Sequence, residues 1–196
     1  MMQNDTVQSL IPGYKPPVKL TYNTFVLNVF SIIVFILGIV GFNLLRGWIE
    51  KGVFTGEFSG SIDFAGMGIL AVIFVITILV HELVHGLFFW QLGYKVSFGL
   101  MLPIAAYTMV KNQLVKRQDY LLISLAPFVM INLICILLLF LKISIISDIA
   151  VPALIINTSG AVADLWLATV IFFSPKKTLF YDTSVMENFV YYPNED

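Results

Sequence analysis

Charge is scarce in this chain. Charged residues make up 12% of its 196 positions, about half the share in an ordinary soluble domain. Hydrophobic residues make up 59%, and mean hydropathy is +0.91. A surface that water must cover is therefore excluded for most of the molecule. The formal net charge of −1 leaves no basic excess of the kind that marks a nucleic-acid partner. Cysteine is nearly absent: Cys135 stands alone in an apolar run, which rules out an internal disulfide. Histidine occurs only at 81 and 85, so no three-histidine metal site can form. Residues 1–20 are polar and proline-containing (IPGYKPPVK) and lack the short apolar core and small-residue cleavage site of a secretory signal. Internal repeats and low-complexity tracts are also missing.

Long apolar runs are what the chain has instead. Four are long enough to cross about 30 Å of hydrocarbon as helices, near residues 25–45, 65–91, 120–141 and 148–173. Pro127 marks a kink site that neighbouring helices can absorb in the third run, and Pro152 lies in the fourth. With four spans, both tails and the middle loop share one side. That side holds Lys15, Lys19, Lys95, Lys111, Lys116, Arg117, Lys176 and Lys177, against Arg46, Lys51 and Lys142 on the other. The positive-inside bias places both termini in the cytoplasm.

Residues 46–64 then form an outer loop with glycine, serine and the acids Glu50, Glu57 and Asp63. In the cytoplasmic connection 92–119, Val96, Phe98, Leu100 and Leu102 alternate with Lys95, Ser97, Gly99 and Met101. That period of two reads as strand. The segment is too short to span, and fits a re-entrant or interfacial hairpin or an amphipathic loop on the bilayer surface. The expected fold is an all-α membrane protein: four transmembrane helices with a short cytoplasmic β-like hairpin between helices two and three. A single membrane domain, 25–173, is expected between cytoplasmic tails 1–24 and 174–196.

Both histidines lie in LVHELVHG, residues 79–86, near the end of the second apolar run. Ionisable groups at membrane depth are costly and normally mark function. Residues four apart share a helix face, so His81 and His85 can converge on one ion with Glu82 beside them. This is the HExxH arrangement of two imidazole ligands and a general base. The alternative, a chance match with satisfied core histidines, has to bear the hydrocarbon penalty on all three polar residues.

A hydrolytic zinc site needs a third protein ligand and an open fourth position, and with no further histidine a carboxylate is the natural choice. Glu50, Glu57, Asp63 and Asp148 lie toward the outer side, and Asp119 sits at the cytoplasmic edge of the third span. Asp164 alone lies well inside a span. His81 and Asp164 each fall roughly 24 Å from the outer boundary at the helical rise, in spans running the same way. Asp164 is thus the expected third ligand and Asp119 the second candidate. Gly160 and Ala168 flank Asp164 at four-residue spacing, a small-residue stripe that lets membrane helices approach. Asn157, two turns back, can bond a substrate carbonyl or join two helices.

At these residues the chain resembles the site-2 protease superfamily of intramembrane zinc metalloproteases. The closer likeness is to a family of small bacterial membrane-embedded zincin peptidases. HELVHG, LGYKVSFGL, the LAPF at 125–128 and NTSGAVADL match the landmarks of that family over residues 70–173. The resemblance implies Zn²⁺ held by His81, His85 and Asp164, with Glu82 moving the proton of the attacking water. It also implies a hairpin near 94–103 that pairs with an extended substrate, through Ser97, Phe98 and Gly99. The implied substrate is a membrane-spanning or membrane-bound peptide cut near the cytoplasmic face of the cell membrane. The distal motif departs from the superfamily pattern. Gly160 stands where a proline is expected, the aspartate follows Asn157 by seven rather than eight residues, and Leu165 replaces a glycine.

Other classes fit less well. A scaffold or immunity-type protein with a structural metal would usually need four protein ligands and would leave Glu82 without a role. A metal transporter needs polar residues along its path, and the outer halves of spans two and four offer only Thr77. The paired-glutamate motif of membrane prenyl-protein endopeptidases is absent.

Overall fold

The computed structural model describes residues 11–54, 63–101, 105–184 and 187–194. The described chain is mostly helical with a small amount of antiparallel sheet. It divides into two units. One is drawn from Met1–Tyr22, Leu83–Leu125 and Leu165–Asp196, the other from Asn23–Glu82 and Ala126–Asp164. Helices α2 (Phe64–Gln91), α3 (Arg117–Leu139) and α5 (Val162–Phe173) each run across a division between the two.

The second unit is helical. Helix α1 (Thr24–Lys51) starts at Asn23, whose side-chain oxygen accepts from the Val26 N–H at 3.2 Å. It stops at Gly52, which takes the left-handed φ of 74° that a residue without Cβ adopts at no steric cost. Beside α1 runs α4 (Ser144–Gly160). A Cβ on Gly38 would meet the Ile155 side chain at an ordinary contact distance of 3.6 Å, so the two helices pack against each other there. At the end of α1, Arg46 pairs with Glu50 at 3.1 Å and with Asp148 of α4 at 2.7 Å. Helix α1 runs to Lys51, past its expected end at 45, so the first part of the expected outer loop is helix. Residues 55–62 of that loop, Glu57 among them, lie outside the described residues.

Helices α1, α2 and α3 are each long and apolar enough to cross a membrane. Phe25, Ile32 and Leu37 of α1 are more than half exposed, a surface that suits lipid and not water. The fourth expected span is not one straight helix. It begins at Ser144, and α4 and α5 meet at Ala161 with a bend of 48°. Just before the break, the Ser159 hydroxyl donates back to the carbonyls of Ile155 at 2.8 Å and Ile156 at 3.1 Å, a local competition with the helix ladder. Counted as one span, the bent pair brings the candidates to four; three or four apolar helices are compatible with a multi-pass membrane protein.

Among the described residues, all the strands belong to the first unit. The expected hairpin between the second and third helices is present: β2 (Ser97–Met101) pairs antiparallel with β3 (Ala105–Met109), Phe98 opposite Thr108 and Gly99 opposite Tyr107. Leu102 lies outside the described residues. A second sheet was not anticipated. β1 (Val18–Lys19), β4 (Leu114–Lys116), β5 (Leu179–Ser184) and β6 (Glu187–Tyr191) form a four-stranded antiparallel sheet in the order β1-β6-β5-β4. Three of its strands come from the segments read as tails. The sheet packs its Val115, Phe180 and Val190 with Phe89, Tyr120, Ile123 and Ile171 of the helices, all buried. Asp182 of β5 is buried too, and accepts from the Tyr120 hydroxyl at 3.0 Å and the Asn188 amide at 2.7 Å. Arg117 donates to the carbonyls of Ile171 at 2.9 Å and Phe172 at 2.6 Å, two of the acceptors at the C-terminal end of α5.

Candidate metal centre

The HExxH segment sits in the last third of α2, a helix of continuous apolar character with its only titratable side chains at His81, Glu82 and His85. His81 is buried, while Glu82, His85 and Asp164 are half-buried. The bend after α4 puts Asp164 in the first turn of α5, where the helix dipole favours a carboxylate. His81, His85 and Asp164 each offer one ligand atom, and the three atoms lie within 4.8 Å of one another. His81 Nε2 stands 3.1 Å from Asp164 Oδ2.

These donors fit a zinc ion: two imidazoles and one carboxylate are the set of catalytic zinc sites with an open fourth position. Among the described residues no further His, Cys, Asp or Glu joins the group. The other candidate, Asp119, is engaged elsewhere and accepts from the Tyr94 hydroxyl at 2.7 Å. Burial, and then the Asp119 carboxylate, pushes the Tyr94 phenol up to about 12. Tyr94 therefore remains a donor to Asp119 at any physiological pH.

Both imidazoles are held from behind. His81 Nδ1 lies 2.9 Å from Asn157 Oδ1, and His85 Nδ1 lies 3.0 Å from the Ile123 carbonyl. Asn157 is 1% exposed, and its amide nitrogen donates to Asn132 Oδ1 at 2.8 Å and to the Pro127 carbonyl at 3.3 Å. Asn132 in turn donates to Thr158 at 3.0 Å. Of the two sequence readings of Asn157, the structure displays the bridging one, and places its carbonyl oxygen on a histidine. Asn132 and the Ile123 carbonyl were not singled out from the sequence. A polar amide inside the third apolar run was the available signal for Asn132. The carbonyl had only the proline four residues on.

Ser97, Phe98 and Gly99 lie on β2 and not in the donor cluster. Phe98 nonetheless reaches α2, because its ring fills the space a Cβ on Gly86 would occupy. At about 100° per residue, Glu82 lies on the helix between the face carrying both histidines and the face carrying Gly86. A cavity of about 750 Å³ is lined by Leu83, Leu87, Trp90, Tyr94, Lys95 and Phe98. It opens on the side of α2 away from the histidines.

No curated protein and no solved structure matches the chain. Residues 74–179, more than half of the sequence, match the family described as "Putative zincin peptidase". That match spans the histidine helix, the hairpin, the proline helix and the aspartate. Together with a donor cluster able to hold zinc, it places the chain in the family so described, and that description is of a zinc metallopeptidase.

Proposed function

We propose that the protein is a zinc-dependent intramembrane metalloprotease of the site-2 protease kind. It hydrolyses peptide bonds of membrane-spanning or membrane-associated substrates near the cytoplasmic face of the cell membrane, with both termini cytoplasmic. One observation carries this reading: the cluster of His81, His85 and Asp164 is built on α2, a helix long and apolar enough to cross a membrane, and on the bent pair α4–α5, which is so only when taken together.

A zinc ion held there supplies Lewis acidity toward the scissile carbonyl and the attacking water. Glu82, one residue around the helix from His81, accepts the water's proton as the C–O bond forms and passes it to the leaving amine as the C–N bond breaks. A substrate helix has its carbonyls occupied by its own N–H groups, so it must unwind before cleavage. The two-stranded sheet gives an unwound segment a docking edge. β2 pairs with β3 on one side, and Ser97, Phe98 and Gly99 present backbone groups on the other, where an added strand gains main-chain bonds. The Phe98–Gly86 packing seats that edge close to Glu82 around the helix.

Purified protein analysed for metal beside its Glu82→Gln variant, with cleavage assayed on co-expressed membrane peptides, tests the reading. Zinc in both proteins and cleavage by the wild type alone supports it. Equal cellular function in both, with zinc bound, favours a scaffold or immunity-type protein with a structural metal.

A further inference from the structure

Pro127 lies inside α3, and the helix continues through it from Arg117 to Leu139. A helical proline has no N–H to give to the carbonyl four residues before it. In this chain that carbonyl is Ile123, the one His85 Nδ1 meets at 3.0 Å. A carbonyl can only accept, so His85 Nδ1 is the donor and carries the proton.

The same residue acts on the other histidine by a different route. The Pro127 carbonyl accepts from Asn157 Nδ2. Because that oxygen cannot donate, the amide is held with Nδ2 toward Pro127 and Asn132, and with Oδ1 toward His81 Nδ1. An amide oxygen also only accepts, so His81 Nδ1 is again the donor.

We infer that Pro127 is the positioning residue of the metal centre: its missing N–H and its carbonyl together hold both histidines as Nδ1–H tautomers that present Nε2 to the ion. The inference rests on the metallopeptidase reading and adds the device that prepares its ligands. Partners behind a ligating histidine fix its ring and raise its basicity, and losing one typically costs 10- to 100-fold in metal affinity. A proline in a membrane helix thus has a chemical task beside its effect on helix shape.

The two roles can be separated, because alanine at 127 restores the N–H while keeping the carbonyl. Pro127→Ala should draw the Ile123 carbonyl back into the helix ladder and release His85, while Asn157 still holds His81. The protein has only two histidines, so nitrogen-15 labelling of histidine gives two assignable rings. In zinc-loaded wild type, both rings should show zinc on Nε2 and a solvent-protected proton on Nδ1. In Pro127→Ala, the His85 proton should lose protection and the His81 proton keep it. Zinc affinity, measured by competition with a chelator, should fall by about tenfold or more. Thermal stability should hold or rise, since a helical proline has been removed, whereas a merely structural proline would lower stability and affinity together.

Wild-type zinc affinity in Pro127→Ala with a protected His85 Nδ1–H overturns the inference. A wild-type ring with zinc on Nδ1 overturns it too, and does not require the variant to fold. Wild type that takes up no zinc, yet keeps both protected Nδ1 protons, supports the tautomer assignment and overturns the metallopeptidase reading instead.

Discussion

The ring of Phe98 occupies the place where a side chain on Gly86 would stand. Gly86 directly follows His85, so the strand β2 is seated on the helix that carries both candidate histidine ligands, one residue beyond the second of them. Gly99, the next residue on β2, repeats the device: the Tyr107 ring on the paired strand fills its Cβ space. Two glycines thus let two aromatic rings lock the hairpin, one against α2 and one across its own strands.

Gly86→Ala should therefore uncouple the hairpin from the helix. The Phe98 ring, 57% exposed, must swing aside, so the strain should fall at or below the low end of core overpacking, about 1 kcal/mol. Zinc content should stay at the wild-type level while cleavage of membrane peptides falls. Adding Phe98→Ala should restore the stability lost. A single Gly86→Ala variant with unchanged stability and cleavage would show that the close approach has no consequence.

Zinc content should depend on three residues. About one zinc per chain is expected, lost on His81→Ala, His85→Ala or Asp164→Ala and kept on Asp119→Ala. Asp119 already accepts from Tyr94, and only Asp164 shares a cluster with both histidines. Metal analysis of the four purified variants checks this, and loss of zinc from Asp119→Ala with retention in Asp164→Ala would reverse the assignment.

Glu82→Gln should separate chemistry from architecture. Glutamine keeps the size and much of the hydrogen bonding of glutamate but cannot take a proton. Zinc occupancy and melting temperature should remain near wild type while hydrolysis falls by roughly 10² or more, the usual contribution of a positioned base. Retained hydrolysis in a zinc-loaded variant would remove Glu82 from the mechanism.

Asp182 predicts a pH dependence outside the membrane helices. Burial raises its carboxyl above the usual 3.8, although hydrogen bonds from Asn188 and Tyr120 act against the shift. A raised folded-state pKa means that the protonated form favours the fold. The stabilisation is full below 3.8 and is lost as pH rises through the elevated folded value. Asp182→Asn should flatten this part of the curve. Melting temperatures of both proteins across the acidic range decide the matter, and parallel curves would count against it.

Topology is testable without the enzyme activity. The basic residues favour both termini in the cytoplasm, so a reporter active only outside the membrane, fused after residue 196, should be silent. A signal there would invert the orientation and place the metal centre nearer the outer face.

Much of this was legible from local pattern alone. The spacing of His81 and His85 forces them onto one face of any helix, and hydrophobic runs of helical length are recognisable wherever they pack. The strand-like alternation around Phe98 was likewise a local signal, and the hairpin followed it. What lay beyond the sequence was decided by partners far along the chain. The depth of Asp164 in its span made it the expected third ligand, but that Asp119 is instead held by the Tyr94 hydroxyl, and that the fourth span breaks at Ala161, are facts of the tertiary structure. The segments read as tails become strands only because each finds another to pair with, since backbone hydrogen bonds in a sheet are never local to one strand. Pro127 could be read as a kink site from its covalent structure. That the bond the Ile123 carbonyl lacks would be supplied by His85, 38 residues from Ile123, depends on which helix the fold places beside it.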